Sequence, residues 1–257
     1  MEPSPSASPM THRQILLVLS GLMLGLFLAA LDQTIVATAL PTIAGELGGL
    51  EQLSWVVTAY LLTSTASAPL YGKVSDMYGR KIVFQFAIVT FLVGSVLAGM
   101  SQSMIQLIGF RAIQGLGAGG LIVMAMTIVG DVVSPRERGR YQGYIGSVFA
   151  LASVAGPLLG GFFVDNFSWR WVFYINLPIG LAALFVTATV LDLPFRRVDR
   201  PVDYLGAGLM VGGVTSLLLV TVWGGSQYEW GSPVIIGLSV LAAVLLVLFL
   251  LQERRVE

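Results

Sequence analysis

Eight long apolar segments constrain the fold of this chain more than any other feature of its sequence. A membrane-spanning helix needs roughly 20 predominantly apolar residues, and each segment comes close to that length or exceeds it. Only 11% of the 257 residues are charged, whereas soluble domains average about 25%. The sequence therefore predicts an all-α integral membrane protein with about eight transmembrane helices. The segments cover residues 15–40, 53–72, 82–99, 104–130, 141–164, 172–191, 204–223 and 234–251.

The short connections between these segments alternate in charge. Most of the Lys and Arg residues lie in one set of connections, and the intervening set carries mainly Asp and Glu. Cytoplasmic loops are enriched in Lys and Arg, so we expect both termini of this chain in the cytoplasm. The net charge of zero gives no support for a nucleic-acid partner.

The sequence also lacks the residues that several kinds of enzyme require. It has no cysteine, and its single histidine, His12, lies in a Ser- and Pro-rich tail. The GxxxxGK[ST], HExxH and GxSxG motifs are absent, so we expect neither an enzyme nor a metal site. The glycines at 115, 117 and 120 match the dinucleotide-binding fingerprint literally, but that motif requires a preceding strand rather than a membrane helix.

An internal repeat becomes visible when the sequence is shifted by 89 residues. The shift aligns the connection after the second segment with the connection after the fifth, which would lie on the opposite side of the membrane. This relation is typical of two inverted three-helix units. The aligned pairs are Gly72 with Gly161, Asp76 with Asp165, Lys81 with Arg170, Val83 with Val172, and Phe84 with Phe173.

Two opposite charges are predicted at similar depth in the membrane. At about 1.5 Å per residue, Asp32 lies about 10 Å from the external end of the first segment near residue 39, and Arg111 lies about 10–12 Å from the external end of the fourth. One interpretation is a static ion pair that holds the bundle together. The other is a protonation switch, in which Asp32 accepts a proton and Arg111 tunes or competes for it.

The fourth segment combines this arginine with a ridge of glycines. Gly115, Gly117, Gly119 and Gly120 remove side-chain bulk, which lets another helix approach closely. An arginine at membrane depth normally faces a cavity or a partner. The segment is therefore predicted to be a packed helix that lines a cavity.

The connection GKVSDMYGRKIVF joins the second and third segments. Its glycines allow a tight turn, and Asp76 and Arg80 are spaced so that each can reach a different neighbouring helix. We favour a structural gate on the cytoplasmic side over the alternative that these basic residues only determine topology. The candidate gate residues are Gly72, Asp76, Gly79, Arg80, Lys81 and, at the end of the fourth segment, Asp131.

The fifth segment contains a proline among small residues, in the run ASVAGPLLGGFFVD. Proline can kink a membrane helix, and the glycines give a face for close packing. Ordinary helix packing explains part of this pattern, and a surface on which two halves rock is the functional interpretation. The residues concerned are Gly156, Pro157, Gly160 and Gly161.

Taken together, six motifs resemble the major facilitator superfamily, specifically its fourteen-helix drug:proton antiporter branch. They occur in the family's order, and the resemblance covers essentially all of helices one to eight. The helix-four motif matches at Arg111, Gln114 and Gly115. The motifs are LDQTIVATALPTIAGEL, WVVTAYLL, GKVSDMYGRK, RAIQGLGAGG, GPLLGG and WRWVFYINLPIG.

The resemblance implies a helical bundle of 3+3 inverted repeats and proton-coupled efflux of lipophilic or cationic drugs across the plasma or inner membrane. Asp32 and Arg111 would couple transport to protons, and the proton gradient would supply the energy without any cofactor. The cytoplasmic gate motif would stabilise the outward-facing state, and the helix-five motif marks exporters. Aromatic candidates for substrate contact are Phe27, Trp55 and Tyr60.

The expected organisation is a disordered cytoplasmic tail (1–14), a six-helix transporter half (15–191), a cytoplasmic linker (192–203), two additional helices (204–251) and a cytoplasmic end (252–257). The family's second six-helix half is missing, so we expect either a fragment or a half that needs a second subunit. Membrane lipid, protons and a lipophilic small molecule are the other expected partners. Two alternatives stay open: a proton-coupled transporter of a metabolite, sugar or lipid, and a non-transporting half that acts as an assembly partner.

Overall fold

The computed structural model describes residues 12–191 and 203–256, and these ranges are almost entirely helical. A single turn of 3₁₀ helix, Leu50–Gln52, joins the first two long helices. The helices in these ranges are α1 (His12–Leu47), α2 (Leu53–Tyr78), α3 (Arg80–Gly99), α4 (Met104–Val132), α5 (Arg138–Asn166), the short α6 (Trp171–Tyr174), α7 (Asn176–Val190), α8 (Tyr204–Trp223) and α9 (Pro233–Val256).

The prediction of about eight membrane spans is confirmed. Seven helical stretches in the described ranges are long and apolar enough to cross a membrane, with α6 and α7 counted as one stretch. The eighth, α2, has 26 residues, which is long enough to span, but it is more polar. Its hydroxyl groups are satisfied internally: Thr58 and Thr63 donate to carbonyls one turn earlier, and Ser67 lies within hydrogen-bond distance of the Leu116 carbonyl of α4.

Two predicted boundaries were too short. The helix α1 continues past Pro41 to Leu47, because a proline removes one backbone donor but need not end a membrane helix. Asp32 therefore lies about 22 Å from the end of α1, at about 1.5 Å per residue, rather than about 10 Å. Likewise α2 extends through residues 72–78, so most of the predicted loop is helical and only Gly79, with φ of +95°, forms the turn.

The glycines of α4 lie against two neighbouring helices rather than one. A Cβ atom on Gly115 would meet the backbone of Tyr60 in α2, 2.9 Å from its Cα. On the other side, a Cβ on Gly117 would lie 2.7 Å from the Ala87 carbonyl oxygen and the Phe91 Cα of α3. Backbones can approach this closely only where side-chain bulk is absent, so α4 is wedged between α2 and α3.

The remaining helices surround α1 or extend the bundle. α1 packs against α4, α5 and α7, and its core residues are buried. The pair α8 and α9 pack on each other, and α8 also contacts α2, where the rings of Trp55 and Trp223 are 5.4 Å apart. α1–α3 and α4–α7 form the 3+3 arrangement of the predicted fold.

Consecutive spans run in opposite directions, so the bundle has two ends. We call them the Arg80 end, where α2 meets α3, and the Arg170 end, where α5 meets α6. Of the predicted organisation, residues 1–11, 192–202 and 257 lie outside the described residues. The helical positions at 12–14 and 252–256 extend α1 and α9 beyond the predicted spans, and the division into domains stays a prediction.

Candidate functional site

A buried polar cluster lies where α1, α3, α4 and α7 meet. Each member is at most 1% exposed, although burying polar and charged groups is unfavourable unless they are paired. Hydrogen bonds and an ion pair within the cluster offset that cost. The cluster consists of Asp32, Ser95, Arg111, Gln114 and Asn176.

Asp32 accepts hydrogen bonds from three side chains. Its Oδ2 pairs with Nη1 of Arg111, so the two charges that the sequence placed at similar depth are in direct contact. Its Oδ1 accepts from Nε2 of Gln114 at 2.8 Å and from Nδ2 of Asn176 at 2.9 Å. All three partners are donors, and the carboxylate of Asp32 is the acceptor in each contact.

Arg111 makes further contacts that hold its guanidinium in place. Nη1 also donates to Oε1 of Gln114 at 2.7 Å, and Nε approaches the Val56 carbonyl at 3.5 Å. The Cζ atom lies 4.0 Å from the centre of the Tyr60 ring, within the range of a cation–π interaction. Since arginine stays protonated in proteins, the charge state of this site depends on Asp32.

Asn176 and Ser95 were not selected from the sequence. Nδ2 of Asn176 donates to Oγ of Ser95 at 2.9 Å as well as to Asp32, and Ser95 donates to the Phe173 carbonyl at 2.8 Å. Oδ1 of Asn176 is buried and has no hydrogen-bond partner in the structure. The sequence signal that could have found them is a single amide and a single serine within apolar segments, because Ser and Asn side chains in membrane helices often hydrogen-bond across to other helices.

The three aromatic candidates for substrate contact lie in different places. Tyr60 is fully buried beneath Arg111. Trp55 packs on Trp223 of α8, away from the cluster. Phe27 is half-buried and packs between α1 and α5, against Ala152. The structure therefore does not bring the three rings together around one cavity.

The Arg80 end carries an ion-pair clamp, which we call the Arg80 clamp: Asp76, Arg80, Lys81 and Asp131. Arg80 pairs with Asp76 in the last turn of α2 at 2.7 Å and with Asp131 of α4 at 3.0 Å. Lys81 donates to the Ala188 carbonyl in the last turn of α7 at 2.7 Å. Four helices are thus tied together at this end. Gly72, in contrast, lies mid-helix with no neighbour within 4 Å of a built Cβ.

The Arg170 end carries a related set, the Arg170 clamp: Glu46, Ser101, Trp169 and Arg170. Nε1 of Trp169 donates to Glu46 of α1 at 2.8 Å, and Arg170 lies 3.5 Å from the same carboxylate. Arg170 also donates to the Ser101 carbonyl, just beyond α3, at 3.1 Å. The repeat aligns Arg170 with Lys81, and both donate to a carbonyl at the end of the matching helix in the other repeat.

The family of the chain follows from these features together with its sequence relatives. A model of the Major Facilitator Superfamily matches residues 22–204, which is most of the chain. The chain belongs to the major facilitator superfamily. It is therefore a member of a family of multi-pass membrane transporters, and it is not an enzyme.

Members of this superfamily with similar sequences carry multidrug names. The chain is 44% identical to the multidrug transporter protein MdtP of Bacillus subtilis over 243 residues, which cover 94% of this chain and 44% of that relative. Against multidrug resistance protein 3 of the same organism it is 44% identical over 240 residues, 93% of this chain and 47% of that protein. The chain spans about half the length of the curated relatives it matches.

The fold also matches solved transporters of the superfamily. The human organic anion transporter MFSD10 gives a TM-score of 0.66 at 19% identity, covering 87% of this chain and 59% of that one. Identity this low supports the shared fold alone.

The helix-five motif of this superfamily member packs on α1. A Cβ on Gly160 would lie 3.0 Å from the Ile35 carbonyl oxygen, and one on Gly156 would collide with the hydroxyl of Thr34. Gly161 has no neighbour within 4 Å of its Cβ position. Two of the three predicted glycines therefore make the close contact between α1 and α5.

Thr34 also makes a hydrogen bond to the backbone of α5 near its proline. Pro157 lies inside α5, where it cannot donate a backbone hydrogen bond. Oγ of Thr34 donates to the Ala152 carbonyl at 3.0 Å, in the turn before the proline. The carbonyl that loses its helical donor at Pro157 is that of Ser153, four residues earlier, so the Thr34 contact lies beside the interruption and joins α1, two residues beyond Asp32, to this part of α5.

Proposed function

We propose that this chain takes part in proton-coupled efflux of lipophilic, often cationic, drugs, with Asp32 as the proton-binding group. The observation that carries the proposal is the burial of Asp32, the one acidic side chain in the described part of the chain that is fully buried. The multidrug names of the two bacterial relatives support the substrate class. The proton gradient would supply the energy.

Protonation of Asp32 would convert the carboxylate into a neutral acid and leave Arg111 without its counter-charge. An uncompensated buried charge is strongly unfavourable, so the protonated cluster would favour a rearrangement that gives Arg111 another partner or water. Release of the proton would restore the ion pair. A cationic drug would be attracted to the carboxylate in competition with Arg111, which links drug binding to proton loss.

The ends of the bundle would control access to the cluster. By the enrichment of Lys and Arg in cytoplasmic loops, we place the Arg80 end in the cytoplasm together with both termini, in the plasma or inner membrane. The Arg80 clamp would close this end when the site faces outward. Alternating access requires two halves that move around a central site, so a second half or a second subunit would complete the transporter.

The test is export of a fluorescent lipophilic cation from energised cells. It compares this chain alone, the complete product of its gene, and that product with Asp32→Asn. Asp165→Asn is the matched control, because Asp165 is exposed. We expect export by the complete product, its loss when the proton gradient is collapsed or with Asp32→Asn, and its retention with Asp165→Asn.

Other results would overturn parts of this proposal. Export that persists with Asp32→Asn contradicts the proton role. A correctly inserted complete product that exports no lipophilic cation contradicts the substrate class and favours a metabolite, sugar or lipid. Transport by this chain alone contradicts the need for a second, different half.

A further inference from the structure

We propose that Asn176 is a positioning residue that follows the protonation state of Asp32 by rotating its side-chain amide. This inference rests on the proposed proton-binding role of Asp32. Asn176, on α7, would hydrogen-bond both the ionised and the protonated form of Asp32. The other partners of Asp32 would suit only the ionised form.

In the structure, the hydrogen bonds around Asp32 suit a carboxylate. Arg111, Gln114 and Asn176 all donate to it. A proton added to Oδ1 would turn that oxygen into a donor, which needs an acceptor of its own. Neither of the N–H groups now directed at Oδ1 could accept a hydrogen bond from the new O–H.

Gln114 cannot supply that acceptor without a further loss. Its Oε1 already accepts from Arg111 at 2.7 Å. Rotating the Gln114 amide would place its NH₂ group against the guanidinium, donor against donor. Gln114 is therefore a fixed donor to the carboxylate.

Asn176 has no such constraint. Its Oδ1 is buried without a hydrogen-bond partner, which is rare for a buried polar atom. A half-turn about the Cβ–Cγ bond exchanges Oδ1 and Nδ2, two atoms of similar size. The carbonyl oxygen would then face Oδ1 of Asp32 and Oγ of Ser95, the two oxygens to which Nδ2 now donates at 2.9 Å each.

The rotated amide would give the protonated carboxyl group the acceptor that it needs. The new O–H of Asp32 donates to Oδ1 of Asn176, and the Ser95 hydroxyl turns from the Phe173 carbonyl to donate to the same oxygen. The only bond made is the O–H bond between the incoming proton and Asp32. When that bond breaks, the proton leaves to water and the amide returns to donating.

Few charged groups face Asp32, so the Asn176 amide supplies a large part of the polar contacts to its carboxyl group. Arg111 faces it from α4, and Tyr60 of α2 lies beneath the guanidinium. From α3 and α7 the neighbours are the neutral Ser95 and Asn176. α5 meets α1 through Gly156 and Gly160.

The test uses infrared difference spectroscopy of the complete gene product in lipid vesicles, titrated with pH. A protonated carboxyl gives a C=O band whose frequency reports its hydrogen bonding, and Asp32→Asn identifies the band of Asp32. The compared variants are Asn176→Leu and, as the fixed-donor control, Gln114→Leu. Both replace an amide by an apolar side chain of similar size.

We expect Gln114→Leu to move the pH midpoint of the Asp32 band upward by about one unit, because the carboxylate loses a donor. Asn176→Leu should move the midpoint much less, since both charge states lose a partner. It should instead shift the frequency of the band and slow turnover at saturating drug by about tenfold, with KM little changed.

The outcomes separate this inference from the proposed function. If Asp32→Asn removes no band, the proton-binding role itself is wrong. If the band depends on Asp32, but Asn176→Leu leaves its frequency unchanged or moves its midpoint as far as Gln114→Leu does, Asn176 is an ordinary fixed contact and the inference is wrong.

Discussion

The tight packing of α4 against α3 leads to a quantitative prediction for Gly117→Ala. The added methyl would lie 2.7 Å from the Ala87 carbonyl oxygen and the Phe91 Cα, whereas carbon atoms in contact prefer about 3.5–4.0 Å. The obstructing atoms are backbone, so α3 and α4 would have to separate by close to ~1 Å. Overpacking costs up to about 3 kcal/mol, and we take that upper value because the obstructing atoms are backbone. Ala gains up to about 1 kcal/mol over Gly in helix propensity, so we expect a net loss of about 2 kcal/mol.

Gly109→Ala provides the matched control on the same helix. A Cβ at Gly109 has no neighbour within 4 Å, so only the propensity gain of up to about 1 kcal/mol applies. Thermal unfolding in detergent should therefore shift in opposite directions, by about 2–4 °C per kcal/mol for a domain of this size. Equal melting temperatures for Gly117→Ala and Gly109→Ala would refute the close contact between α3 and α4.

Two further predictions concern charged side chains. Arg111→Gln alone leaves Asp32 buried without its counter-charge and should destabilise the protein by about 3–5 kcal/mol. Adding Asp32→Asn should restore most of that stability, measured by thermal unfolding, but should not restore transport. If the double variant is no more stable than Arg111→Gln, the pairing of Asp32 with Arg111 is contradicted. Arg80→Gln removes partly exposed pairs with Asp76 and Asp131, so it should cost less than about 1 kcal/mol yet reduce export severalfold. Lys73→Gln, near the end of α2, is its control, and equal export by the two variants would argue against a gate.

The spans were predictable from the sequence because length and apolar composition determine what can cross a membrane. The ends of helices were less predictable. The first segment was predicted to end at residue 40, but α1 continues through Pro41 to Leu47. Gly72 suggested a loop, yet the chain turns only at Gly79. Pro41 in α1 and Gly72 in α2 are residue types that often end helices, yet each is tolerated inside its helix.

The polar cluster was predictable only in part. Asp32 and Arg111 stand out because single charges are rare in apolar segments. Ser95 and Asn176 are uncharged, and each is separated from Asp32 by many residues along the chain, so their convergence depends on the packing of α3 and α7 on α1. For the same reason Trp55 was selected as a substrate contact although it faces α8.

Proton movement driven by drug tests the central claim most directly. The complete gene product, reconstituted in vesicles with an internal pH-sensitive dye, is given a lipophilic cation on one side and no imposed proton gradient. We predict that the cation drives a pH change in the wild type and in Asp165→Asn, and none in Asp32→Asn even where that variant still binds the cation. A drug-driven pH change of wild-type size in Asp32→Asn would contradict the account.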